Sequence, residues 1–123
     1  DEAELICRAR IEEDHLSLEG HLLLGFVARE RGDDDDAVKA YKAALYLQPS
    51  NWLAHYRLAE IYEGRGKARD AVREYEVVTR LLDQGAFPDH GLTWFSFPCS
   101  GDQLLHLCRH HLEKLDRGGA VRG

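Results

Sequence analysis

Three histidines, His106, His110 and His111, fall close together near the end of the chain. His106 and His110 stand four residues apart, the helical spacing at which two imidazoles could share a metal ion. No carboxylate or thiolate is fixed beside them by spacing, and Cys108 points to another face of the same helix, so the three read as surface histidines. A Cys-His nucleophile would need Cys7, Cys99 or Cys108 activated by a neighbouring base, and the spacing singles out none of them. Gly64-Arg65-Gly66-Lys67 has a trace of a phosphate loop. It lacks that motif's first glycine at the required spacing, however, and Ala68 stands where a magnesium-binding Ser or Thr belongs, so it reads as a turn between helices. Asp33 to Asp36 could suggest calcium, but no EF-hand spacing follows, and a helix cap with surplus charge accounts for them. The expectation is a non-enzymatic chain with no catalytic residue, no cofactor and no metal.

Composition narrows the classes further. The 123 residues suffice for one domain with a single core, and 44% hydrophobic with 31% charged residues is an ordinary globular balance. A net charge of −6 argues against a dedicated binder of nucleic acid or of anionic membranes, which would carry a basic patch. No apolar run approaches the roughly 20 residues that span a bilayer, so no membrane insertion is expected. Three cysteines without a C-x-x-C pair fit a reducing cytoplasm better than a disulfide framework. The chain opens on Asp1-Glu2-Ala3-Glu4 and holds no Met, which predicts a fragment of something longer.

An internal repeat sets the helices on which these groups sit. A shift of 34 residues aligns His21 with His55, Leu24 with Leu58, Arg31 with Arg65, Gly32 with Gly66 and Asp36 with Asp70. It also aligns Ala37 with Ala71, Val38 with Val72, Tyr41 with Tyr75 and Leu47 with Leu81. Chance would match about 2 positions at ordinary residue frequencies. Because His21 and His55 are equivalent under the repeat, packing is their natural account. Leu24, Gly25 and Ala28 share a helical face on which the small Gly25 admits a close neighbour. Gly32 ends that helix where a left-handed residue is needed, and the aspartates start the next. Ala37, Tyr41 and Ala44 form a small-large-small seam, Pro49 stops the helix, and Ser50 or Asn51 caps its successor. Helices are predicted near 2–13, 18–31, 35–48, 52–64, 68–83 and 102–116.

Leu24-Gly25, Ala37, Tyr41, Ala44 and Pro49 fill the marker positions of the tetratricopeptide repeat, which this pattern resembles. In the second unit Ala59 replaces the marker Gly and Asp83 the Pro. The resemblance implies an all-α stack of helix-turn-helix units, about two and a half repeats, closed by a C-terminal capping helix. Residues 1–17 would be an incomplete repeat, 18–51 and 52–85 full repeats, 86–101 an aromatic loop and 102–117 the cap. Ser100 or Asp102 can start that last helix, and Leu104, Leu105, Cys108, Leu112 and Leu115 give its apolar stripe. Trp94, Phe95 and Phe97 in the loop either cover the open end of the stack or engage a partner or the chain's own groove.

Ala44-Leu45-Tyr46-Leu47-Gln48-Pro49 and Ala54-His55-Tyr56-Arg57-Leu58 resemble the repeats appended to CheR-type chemotaxis protein methyltransferases. So do Asp89-His90-Gly91-Leu92-Thr93 and Leu104-Leu105-His106-Leu107-Cys108-Arg109. The run Trp94-Phe95-Ser96-Phe97 departs from that family's loop. The resemblance implies a bacterial parent enzyme that methylates chemoreceptor glutamates from S-adenosylmethionine, its catalytic domain lying N-terminal to this chain. The repeats would then be a cytoplasmic regulatory module whose partner is the chemoreceptor cytoplasmic domain or the parent methyltransferase domain. The alternative is a general adaptor assembling another cytoplasmic complex.

In this repeat the first helix of each pair lines a groove. Projection places Glu19, Leu22, Phe26, Arg29 and Glu30 there from the first unit, and Leu53, Tyr56, Arg57, Glu60 and Glu63 from the second. Leu22, Phe26 and Tyr56 are expected exposed in that groove, where apolar surface would mark an interaction site, unless the incomplete repeat or the aromatic loop covers them. The chaperone-binding subset of the repeat carries Lys and Asn where this chain has Leu22 and Phe26, so a mixed apolar and charged helix or extended peptide fits better.

Overall fold

A computed structural model describes residues 17–85 and 100–117. Five helices occupy them: α1 (Leu18–Glu30), α2 (Asp34–Leu47), α3 (Trp52–Gly64), α4 (Ala68–Asp83) and α5 (Gly101–Arg117). Each agrees with its predicted span to within one residue at either end. The helix predicted near 2–13 and the aromatic loop, including Trp94, Phe95 and Phe97, lie outside the described residues.

Local chemistry sets the helix boundaries. Ser17 Oγ accepts from Gly20 N at 3.0 Å, Asp33 Oδ1 from Asp36 N at 3.2 Å, and Asn51 Oδ1 from Ala54 N at 2.9 Å. Each satisfies an amide at a helix start that has no partner within its own helix, a contribution of about 1 kcal/mol. Asn51 rather than Ser50 is thus the cap of α3. It is fully buried, and its Nδ2 also donates to Gln48 Oε1 at 2.8 Å. Ser100 and Gln103 cap α5 reciprocally: Gln103 N donates to Ser100 Oγ, and Ser100 N donates to Gln103 Oε1.

The turns after α1 and α3 have the same design. Gly32 and Gly66 take φ of 80° and 76°, the left-handed region that favours glycine. The amides of Asp33 and Lys67, five residues on, close onto the carbonyls of Ala28 and Tyr62. In the second turn Arg65 Nη2 donates to Asp35 Oδ1 at 2.7 Å, and the guanidinium lies 3.9 Å from Asp34. The surplus charge at the start of α2 therefore meets the next repeat's turn, and Arg65 holds the Asp35 carboxyl below its usual range.

Each helix packs on its successor. Between α1 and α2, Gly25 lies so close to the buried Tyr41 ring that a methyl there would come within 2.8 Å of two ring atoms. α3, packed by α2 on one side and α4 on the other, buries Trp52, Leu53, Ala54, Tyr56, Leu58, Ala59 and Ile61. Ala71, Tyr75 and Val78 repeat the small-large-small seam on α4, and Leu104 and Cys108 of α5 complete the core. Fully burying each large side chain contributes roughly 1.5–3 kcal/mol.

Candidate protein-interaction surface

The projected residues separate into three groups. Leu22, Leu53 and Tyr56 are buried in the core cluster, so the exposure expected of Leu22 and Tyr56 is corrected: their side chains join α1 and α3 to the stack. Phe26, at 37% exposure, is the large apolar side chain of the set that reaches solvent. Glu19, Arg29, Arg57, Glu60 and Glu63 are half-buried, and Glu30 is exposed.

The charged members are organised. Arg29 Nη1 on α1 donates to Glu60 Oε1 on α3 at 3.1 Å, and Arg57 Nη1 donates to the same oxygen at 2.8 Å. The Arg57 guanidinium also lies 5.7 Å from the centre of the Tyr56 ring. Two cations thus converge on one carboxylate between the two first helices. Burial pushes the Tyr41 hydroxyl up to about 12 despite the opposing pull of Arg57 and Arg29, which makes it a neutral packing group.

Glu63, one turn beyond Glu60, has a different use. Tyr75 Oη of α4 donates to Glu63 Oε1 at 2.8 Å, His111 Nδ1 of α5 lies 3.0 Å from the same oxygen, and Lys114 Nζ lies 3.0 Å from Oε2. Burial raises this carboxyl, but hydrogen bonds from Lys114 and Tyr75, with the field of His111, outweigh that and hold it below its usual range. His111 stacks on the Tyr75 ring, centroids 5.0 Å apart and planes 10° from parallel. Reading His111 as a surface histidine is therefore corrected: it docks the capping helix, while His106 and His110 are exposed. Among the described residues no group of three or more His, Cys, Asp or Glu side chains is placed to hold a metal ion.

His55 departs from simple packing. Its Nδ1 lies 2.9 Å from Glu74 Oε1 and its Nε2 lies 2.8 Å from the Pro49 carbonyl oxygen. Burial disfavours the charged ring, yet bonds to the Glu74 carboxylate and the Pro49 carbonyl prevail and raise its pKa. An imidazolium, with two N–H donors, satisfies both acceptors at once.

Among the described residues no helix is long and apolar enough to cross a membrane. No curated protein matches the chain. The family model for the TPR repeat matches residues 25–66, from the middle of α1 through α2 and α3 to the turn at Gly66. The five described helices are an all-α stack of the TPR type.

Proposed function

We propose that the chain is a non-catalytic protein-interaction module that docks a partner helix or extended peptide across the face shared by α1 and α3. The observation that carries this is Phe26, a large apolar side chain left partly in water beside the Arg29-Glu60-Arg57 cluster. That pairing offers an apolar anchor next to charges already held in place, so little ordering is needed when a partner binds. The family match to the TPR repeat supports a protein as the partner.

The resemblance of residues 44–49, 54–58 and 104–109 to the repeats of CheR-type enzymes supports a finer reading. In it, the module regulates methylation of chemoreceptor glutamates in the bacterial cytoplasm, and it contacts the receptor's cytoplasmic domain or the methyltransferase domain. The test is methyl transfer to purified receptor cytoplasmic domains by a CheR-type catalytic domain, with and without excess folded chain. The expected result is a changed rate or site pattern, with apparent affinity reduced about tenfold by Phe26→Ala, as for an aromatic anchor that a bound partner covers. No change in methylation would replace the regulatory role with a general adaptor.

A further inference from the structure

The surface between α2 and α4, the second helices of the two repeats, carries charge of the opposite sign to the chain as a whole. A cleft of about 650 Å³ opens there, with Lys39 and Lys42 on the α2 wall and Lys67 and Arg73 on the α4 side. Each carboxylate of the cleft is already engaged. Asp35 is bonded to Arg65 at 2.7 Å, Glu74 to His55 at 2.9 Å, and Asp70 lies 3.9 Å from Arg73. Lys39, Lys42 and Lys67 have no ion pair among the described residues. Cations therefore outnumber carboxylates five to three along one cleft, Arg65 among them, in a chain of net charge −6.

The half-buried Val38 and Tyr62 add apolar contacts to the lining. One turn beyond Lys42 on the same α2 face, Tyr46 stands 87% exposed. Exposed aromatics beside cationic groups are the composition of a docking surface rather than of a solvated helix back.

We infer that this cleft is a second docking surface, separate from the α1 and α3 face, and that it takes an acidic peptide segment of a partner protein. The cations sit on both the α2 and the α4 side of the cleft, which matches carboxylates spaced along an extended chain better than one compact anion. The apolar lining and Tyr46 would meet the side-chain stems between those carboxylates. The attraction between exposed charges weakens as salt rises.

The experiment is titration of the chain with a fluorescent oligoglutamate peptide at low and at physiological salt, beside Lys39→Glu/Lys42→Glu and Lys39→Gln/Lys42→Gln variants. Inorganic pyrophosphate serves as the small-anion probe, and thermal melting confirms that each variant is folded. The expected result is salt-sensitive peptide binding, weakened about tenfold or more by the Glu pair and less by the Gln pair. Absence of peptide binding at low salt overturns the inference, as does equal binding by the charge-reversed variant. Binding of pyrophosphate but not of peptide would also overturn it, marking the cleft as a small-anion site.

Discussion

Glu63→Ala should loosen the capping helix more than any other single change to a charged residue on α3. The substitution removes the acceptor of Tyr75 Oη, and Tyr75 is fully buried. An orphaned buried hydroxyl costs about 1–3 kcal/mol. The Lys114 ammonium is half exposed, so its pair with Glu63 adds only about 0.5 kcal/mol. Alanine returns a few tenths through helix propensity. The net loss is about 2 kcal/mol, which lowers the melting temperature by roughly 10 °C in a domain of this size.

Urea unfolding followed by circular dichroism measures the loss, and amide exchange along α5 locates it. Glu63→Gln keeps an acceptor for Tyr75 while removing the charge that faces Lys114 and His111, so it should lose less than half as much. Because the folded Glu63 pKa lies below its ordinary 4.5, its contribution is present above that pH and vanishes as pH falls through the folded value. A loss under about 0.5 kcal/mol, equal losses for Gln and Ala, or unchanged α5 protection would refute this account of how the cap is held.

Two further outcomes follow from contacts elsewhere in the stack. Gly25→Ala gains about 1 kcal/mol of helix propensity but places a methyl 2.8 Å from the buried Tyr41 ring, an overpacking cost of about 1–3 kcal/mol; calorimetry should show a net loss. The folded His55 pKa is raised above 6.5, so its bond to Glu74 contributes fully below pH 6.5 and fades as pH rises through the folded value. The stability gap between the natural chain and Glu74→Gln should therefore narrow on the alkaline side of 6.5, and a gap that widens there would contradict the assignment.

The stack was legible because its signals are local and doubled. Gly32 and Gly66 each mark a left-handed turn, and Ala37-Tyr41-Ala44 and Ala71-Tyr75-Val78 each mark a buried seam. A period that repeats both signals leaves little freedom in placing helices. Burial of Leu22 and Tyr56 was not legible from the repeat, because what covers a position depends on neighbouring helices rather than on its place in its own. For His111 a signal did exist. It follows Leu104 by seven residues and Cys108 by three, which puts it on the buried stripe of α5 rather than on the exposed side with His106 and His110. Grouping the histidines by proximity in sequence concealed that.

Glu60 and Glu63 show why residue type alone could not separate binding from scaffolding on α3. Both are half-buried glutamates on a helix that was expected to line a groove, and both accept two or more charged or polar donors. Glu60 collects Arg29 and Arg57 from the first helices, so its partners border the face where Phe26 reaches solvent. Glu63 collects Tyr75, His111 and Lys114 from the helices that follow, so its partners belong to the end of the stack. One helical turn therefore divides the two roles. A change at Glu60 should be read first in partner affinity and a change at Glu63 first in stability, because what each carboxylate organises is set by the elements its donors come from.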